Sequence, residues 1–221
     1  MKPLPFPVLL AGLLICPAIA SCSESTTGEP HHWGQRIVDY ETARKVFWKE
    51  LYSDGGTTLY CRKMFGPGYN RGINIEHVFP ASWIAYSLQC GKRYQCRATS
   101  PAFNRIEADL HNLYPSRSDI NKARSNYPFT LIAGEPRVFG RCDFEIDERQ
   151  RIAEPAPAAR GRIARAMLYM ADEHNLYLKK NLRLRLVEWD RKYPPNEKEI
   201  QRNYRIEQIQ GNRNPFIDAH R

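Results

Sequence analysis

The sequence predicts a single α+β domain in which helices surround a small, mixed core. Three observations lead there. Apolar residues recur at helical spacing along much of the last third of the chain. A short alternating run, Ile73-Asn74-Ile75-Glu76-His77-Val78, reads as a strand near the middle. Glycine- and proline-marked turns break up the β-prone pieces, and no internal repeat is present. A length of 221 residues suits one domain with an appendage, and 42% hydrophobic residues supply a core, which excludes wholesale disorder.

The appendage comes first. Lys2 precedes a mostly apolar run over 8–15 and then Ala18-Ile19-Ala20, the layout of a secretory signal over residues 1–22 and too short to span a bilayer. Two processing readings stay open. Ala18-Ile19-Ala20 fits ordinary cleavage and a soluble periplasmic or secreted protein. Ile19-Ala20-Ser21-Cys22 resembles a lipobox, which would leave a lipid anchor on Cys22 and an outer-membrane lipoprotein. Residues 23–36, polar and rich in Ser, Thr, Gly and Pro, read as a flexible leader, so the folded domain is 37–221.

Within that domain, Tyr40, Ala43, Phe47 and Leu51 predict a first helix over 38–51, ended by Gly55-Gly56. A strand is expected over 57–61, a loop around Gly66 to Gly72, and a strand over 73–78. Residues 86–100 read as a loop, 110–114 as a strand, and Pro115-Ser116 as the start of a helix with Ser116 and Asp119 as a capping pair. Pro128 stops that helix near Asn126. Residues 129–146 hold β-prone pieces, and 154–159 a Pro- and Ala-rich connector. Helices follow over 159–175, 182–192 and 196–209, then a turn-rich tail over 211–218.

Cys16 lies within the signal and Cys22 at its end, which leaves Cys61, Cys90, Cys96 and Cys142. An even number in an exported chain predicts two disulfides. Four cysteines allow three pairings; a tight Cys90–Cys96 loop with a long Cys61–Cys142 closure is favoured. A zinc site of four thiolates is disfavoured because no CxxC pair occurs.

Net charge is +9, with 33 Lys+Arg against 24 Asp+Glu. Such an excess favours a polyanionic partner, nucleic acid first, bound through its phosphates without any need to read sequence. Hydrolysing a phosphodiester needs a base to activate water, a metal ion to neutralise charge, and a cation to stabilise the pentacovalent state. The stretch 74–126 offers one candidate for each. His77 is the base. Glu76 and Asn121 are oxygen ligands suited to a hard cation, Mg²⁺ or alternatively Mn²⁺ or Ca²⁺. Arg93, in the small disulfide loop, offers a fork-shaped cation for phosphate. Lys92, Arg97 and Arg124 are candidate substrate contacts. Neighbours on a strand diverge, so Glu76 and His77 are expected to straddle the phosphate. Each residue also has a plain structural reading: a strand-end histidine, a turn-capping asparagine, a surface arginine.

The run Ile75-Glu76-His77-Val78-Phe79-Pro80-Ala81-Ser82-Trp83 resembles the bacterial periplasmic endonuclease I family. So do Asp109-Leu110-His111-Asn112-Leu113-Tyr114-Pro115, the run from Asn121 to Tyr127, the Glu154-Pro155 to Arg165 segment, and the ending from Asn212 to Asp218. The likeness covers about residues 38–218. It implies a ββα-metal (His-Me finger) core, with His77 as general base, Glu76 and Asn121 holding one Mg²⁺, and Arg93 at the transition state. It also implies a nuclease of little sequence preference that cuts DNA and RNA to 5′-phosphate products. Some relatives carry more cysteines, and Asp218-Ala219-His220 departs from the usual ending. No obligate protein partner is evident, so a monomer is expected. A DNA-capturing module without catalysis would need the charge but none of Glu76, His77 and Asn121.

Overall fold

The computed structural model describes residues 37–68, 70–134 and 137–220. The expected signal (1–22), the leader (23–36) and the anchor at Cys22 lie outside the described residues. Helix α1 (Tyr40–Val46) begins where the Asp39 side chain accepts from the Thr42 N–H at 2.8 Å, and a π-helical segment, Phe47–Leu51, continues it. Of the residues whose spacing predicts an inner face, Ala43, Phe47 and Leu51 are buried and Tyr40 is half-buried; Val46 joins the buried set. The strand expected over 57–61 shrinks to β1 (Gly56–Thr57), antiparallel to β2 (Met64–Phe65). Local hydrogen bonds outcompete a longer ladder: Thr58 Oγ1 accepts from the Lys63 N–H and its carbonyl from the Arg62 N–H, both at 3.0 Å, which closes a turn.

At the centre, β3 (Ile73–His77) pairs antiparallel with β4 (Leu113–Arg117), His77 opposite Leu113 and Ile73 opposite Arg117. Helix α5 (Ser118–Arg124) follows directly, which completes a strand–strand–helix finger. The second strand starts three residues later than expected, because Asp109 accepts from the His111 N–H at 2.9 Å and turns Leu110–Asn112 into a 3₁₀ segment. Pro115 and Ser116 consequently lie in the strand rather than opening the helix. Proline is tolerated there because a two-stranded sheet has only edges. The Ser116–Asp119 cap does not form; Arg117 pairs with Asp119 instead.

Between the two strands, α2 (Ala81–Ser87), α3 (Arg93–Thr99) and α4 (Pro101–Glu107) occupy a stretch expected to be a loop over 86–100 and left unassigned over 101–109. Ser100 accepts from the Phe103 N–H at 3.1 Å and Pro101 takes the first helical position, a start signal that the polar composition upstream obscured. Cys90–Cys96 bridges the residues before α3 to its first turns, and Cys61–Cys142 makes the long closure, the pairing the sequence favours.

The chain then forms β5 (Phe144–Asp147) against β6 (Ile152–Pro155), the latter partly within the expected connector. Helices α6 (Pro157–Glu173), α7 (Lys180–Lys192) and α8 (Glu197–Gln210) match the three expected, and a short α9 (Pro215–Asp218) lies in the tail. Arg165, 1% exposed, ties them together: it makes two 2.7 Å bonds to the Glu199 carboxylate and bonds Asp190 Oδ1 and the Tyr193 carbonyl. Gly161 permits this closeness, since a Cβ there would meet the Tyr193 carbonyl oxygen at 2.1 Å. No helix among the described residues is long and apolar enough to cross a membrane.

Two hydrophobic clusters flank the hairpin. The larger takes Tyr60, Val78, Phe79, Tyr114, Phe129 and the inner face of α6; the smaller takes α1, Ile75 and Leu113. Beneath the 3₁₀ segment, buried Asp109 accepts from Tyr169 Oη, His174 Nε2 and Gln210 Nε2 at 2.8–2.9 Å. Burial raises its carboxyl, but the His174 bond and the nearby His111 outweigh that and hold it at about 2. Burial lowers His111 to about 4, against the pull of Asp109.

Two predictions follow from these features. His111 is neutral in the fold and protonates near 6.5 when unfolded, so its share of stability is complete above pH 6.5 and is lost as pH falls through 4, on the order of 3 kcal/mol. The decline in melting temperature from pH 6.5 to 4 should therefore be shallower in His111→Gln, though not abolished, because buried His77 remains. Replacing Cys61 and Cys142 together by alanine should lower the unfolding free energy by about 2–4 kcal/mol in urea titrations.

Candidate active site

Strand alternation sends Glu76 and His77 to opposite faces of β3, and each meets its own set of partners. Glu76 turns inward, 2% exposed. Its Oε1 accepts from Tyr60 Oη at 2.7 Å and from Arg124 Nη1 at 2.8 Å. Burial pushes its carboxyl up, opposed by the Arg124 charge and both hydrogen bonds. Arg124, at the last turn of α5, also donates to the His77 carbonyl at 3.0 Å and the Val78 carbonyl at 2.6 Å, with its guanidinium over the Phe129 ring. The sequence reading put Arg124 on substrate phosphate. Its side chain is 1% exposed and its two Nη atoms donate to Glu76 and to the His77 and Val78 carbonyls, so in this fold it braces the finger from inside.

One helical turn before Arg124, Asn121 Nδ2 donates to Asn74 Oδ1 at 2.9 Å and to the Ile75 carbonyl at 3.0 Å. These bonds pin the amide beside the strand that carries Glu76 and leave its carbonyl oxygen as the free acceptor. Glu76 Oε2 likewise takes neither of the two donors held by Oε1. A carboxylate oxygen and an amide oxygen are hard donors of the kind a Mg²⁺-class cation takes, with water and substrate filling the remaining positions. No group of three or more His, Cys, Asp or Glu among the described residues could hold a metal, so a site here would rest on this pair.

On the other face, half-buried His77 sets Nε2 3.1 Å from the Glu107 carbonyl. A carbonyl only accepts, so Nε2 carries the proton and Nδ1 keeps the lone pair. Burial, with Arg93 second, lowers the imidazole to about 3, so it is neutral because it is enclosed. The Glu107 carboxylate, fully buried, receives Arg93 Nε on Oε1 and Arg97 Nε on Oε2, the latter at 2.7 Å. Both arginine side chains stay partly open, 45% and 36% exposed. Arg93 and Arg97 stand one turn apart on α3, not in a loop, so both reach the same carboxylate. Lys92, just before them, is exposed.

The structure thus brings Glu76, His77, Asn121, Arg93 and Arg97 around one strand and turns Arg124 inward. Sequence reasoning missed two residues. Glu107 serves His77 through its backbone and the arginines through its side chain; nothing in Arg105-Ile106-Glu107-Ala108 advertises this. Asn112 clamps the end of the hairpin, its Oδ1 accepting from the Phe79 N–H at 2.6 Å and its Nδ2 donating to the Phe79 carbonyl at 3.0 Å. Its position beside His111 in the run Asp109 to Pro115 is the available sequence signal.

The family model described as Endonuclease I matches residues 36–220. A periplasmic deoxyribonuclease of Aeromonas hydrophila is 38% identical over 193 residues, covering 76% of this chain and 81% of the relative. An extracellular deoxyribonuclease of the same organism is 35% identical over 226 residues, covering 91% and 97%. Endonuclease-1 of Buchnera aphidicola subsp. Acyrthosiphon pisum is 34% identical over 182 residues, covering 80% and 72%.

Removing one partner of a buried ion pair strands the other charge. Arg124→Leu should therefore destabilise the protein by about 3–5 kcal/mol in urea titrations. Arg117→Leu, which breaks a solvent-exposed pair at the other end of α5, should cost under about 1 kcal/mol.

Proposed function

Because this chain belongs to the endonuclease I family, we propose that it is an exported, metal-dependent endonuclease that hydrolyses DNA, and RNA, with little regard to sequence. The observation that carries the reading is the division of labour across β3: a neutral imidazole with a free Nδ1 on one face, and a pair of hard oxygen donors at the other. The relatives' names speak of deoxyribonucleases, periplasmic or extracellular. Two disulfides suit the same oxidising compartments. Backbone recognition through phosphate explains the +9 charge without base readout.

In this reading Glu76 and Asn121 would hold one divalent cation, Mg²⁺ or a close substitute, which would supply charge neutralisation when bound. His77 Nδ1 takes a proton from water. The water oxygen bonds to phosphorus as the bond to O3′ breaks, and the departing O3′ takes a proton from a solvent water, which leaves a 5′-phosphate and a 3′-hydroxyl. The Glu107 carbonyl holds the opposite ring nitrogen, so the lone pair stays aimed outward. A phosphodiester anion beside the ring opposes the influence of Arg93 and moves the imidazole back toward a useful basicity. Arg93 donates its remaining N–H groups to the phosphate while its Nε stays on Glu107, so its fork is oriented before substrate arrives. Arg97 and Lys92 extend the cationic surface along the backbone.

Supercoiled plasmid incubated with the mature protein and Mg²⁺ should be nicked, with EDTA abolishing cleavage. His77→Ala should lower the rate on the order of 10²- to 10⁴-fold while binding at low salt persists. Retardation of DNA on a gel with no cleavage under any divalent ion would make the chain a binder and end the proposal.

A further inference from the structure

Tyr40 has no part in the chemistry above, yet it touches three of the residues that do. It is the first residue of α1, and its half-buried ring lies 4.9 Å from the His77 imidazole, centroid to centroid, with the planes at 45°. The same ring meets both arginines of the Glu107 cluster, its centroid 5.4 Å from Arg93 Cζ and 5.0 Å from Arg97 Cζ. Its hydroxyl makes no hydrogen bond among the described residues.

We propose that Tyr40 is a positioning residue whose aromatic ring fixes the plane of the His77 imidazole and the approach of the Arg93 and Arg97 guanidinium groups. The need is geometric. One hydrogen bond, from Nε2 to the Glu107 carbonyl, holds a single point of the imidazole. The terminal torsion of histidine is broad, so a point contact leaves the ring plane free to tilt and Nδ1 free to wander from the attacking water. A rigid ring against one face removes that freedom. The arginines pose a similar problem. Glu107 holds Arg93 through its Nε alone and Arg97 through Nε and Nη2, and both side chains are partly exposed. A guanidinium favours the face of an aromatic ring, so Tyr40 limits where the free N–H groups can point. Burial raises the Tyr40 phenol above its ordinary value, despite Arg93, which keeps the ring neutral between the two cations.

The inference rests on the role proposed for His77, and the two are tested separately. Tyr40→Phe keeps the ring and should retain the wild-type kcat in plasmid nicking. Tyr40→Leu should keep its cooperative thermal unfolding but lose kcat on the order of 10- to 100-fold, with a much smaller change in KM, as expected for misplacement of a reacting group. In ¹⁵N-histidine-labelled protein without DNA, the His77 Nε2–H signal, identified by its absence in His77→Ala, should persist in Tyr40→Phe and broaden by exchange in Tyr40→Leu. Should Tyr40→Leu fail to fold, Tyr40→Met replaces it, filling the space with a flexible chain that has no plane. A wild-type kcat and an undisturbed imidazole signal in the folded Leu or Met variant overturn the proposal. So does a loss in Tyr40→Phe equal to that in Tyr40→Leu, which would move the role to the hydroxyl. Full nicking by His77→Ala would instead remove the proposed base, and the imidazole signal would still report whether Tyr40 holds the ring.

Discussion

A guanidinium buried at the end of α5 governs the geometry of the finger. Arg124 has one carboxylate, Glu76, and two backbone carbonyls, of His77 and Val78, within reach, and it bonds all three. A charge in that position cannot return to water without unfolding the helix from the strand, so the angle between α5 and β3 is set by the need to satisfy it. Asn121, three residues earlier on the same helix, is carried to the Ile75 carbonyl by that docking. The placement of the Asn121 amide on the strand that carries Glu76 is therefore a consequence of a buried ion pair.

The opposite face is organised by Glu107 in a complementary way. Its backbone carbonyl selects the tautomer of His77, and its carboxylate receives Arg93 and Arg97. One residue at the end of α4 thereby couples the protonation pattern of the imidazole to the placement of the cations. A fully buried carboxylate demands such partners, and two half-exposed arginines satisfy it while keeping donors for a ligand. The disulfide between Cys90 and Cys96 constrains the start of α3, where Arg93 originates, with Arg97 one turn on.

The chain was readable where a local pattern decides the outcome. The spacing of apolar residues marked α1 and the three C-terminal helices, and alternation marked β3. Cysteine count and separation favoured the observed pairing. Around the site, Glu76, His77, Asn121 and Arg93 stood out because hydrolytic chemistry needs those side-chain types, and the structure gathers them about one strand. The readings that changed have a common origin. The 3₁₀ turn after Asp109, the strand through Pro115, and the helix through Arg93 each depend on a hydrogen bond or disulfide partner that composition does not reveal.

By itself the sequence determined the inventory: an α+β domain, two disulfides, a basic surface, and the residue types able to move a proton and hold a hard cation. These follow from composition and short-range periodicity, which act between neighbours along the chain. Only the tertiary structure decided which charges face water and which brace the fold. Arg124 and Arg93 are chemically identical, yet one is sealed against Glu76 and Phe129 while the other opens beside His77. That difference comes from which surfaces the two hydrophobic clusters bury, a property of packing between residues tens of positions apart.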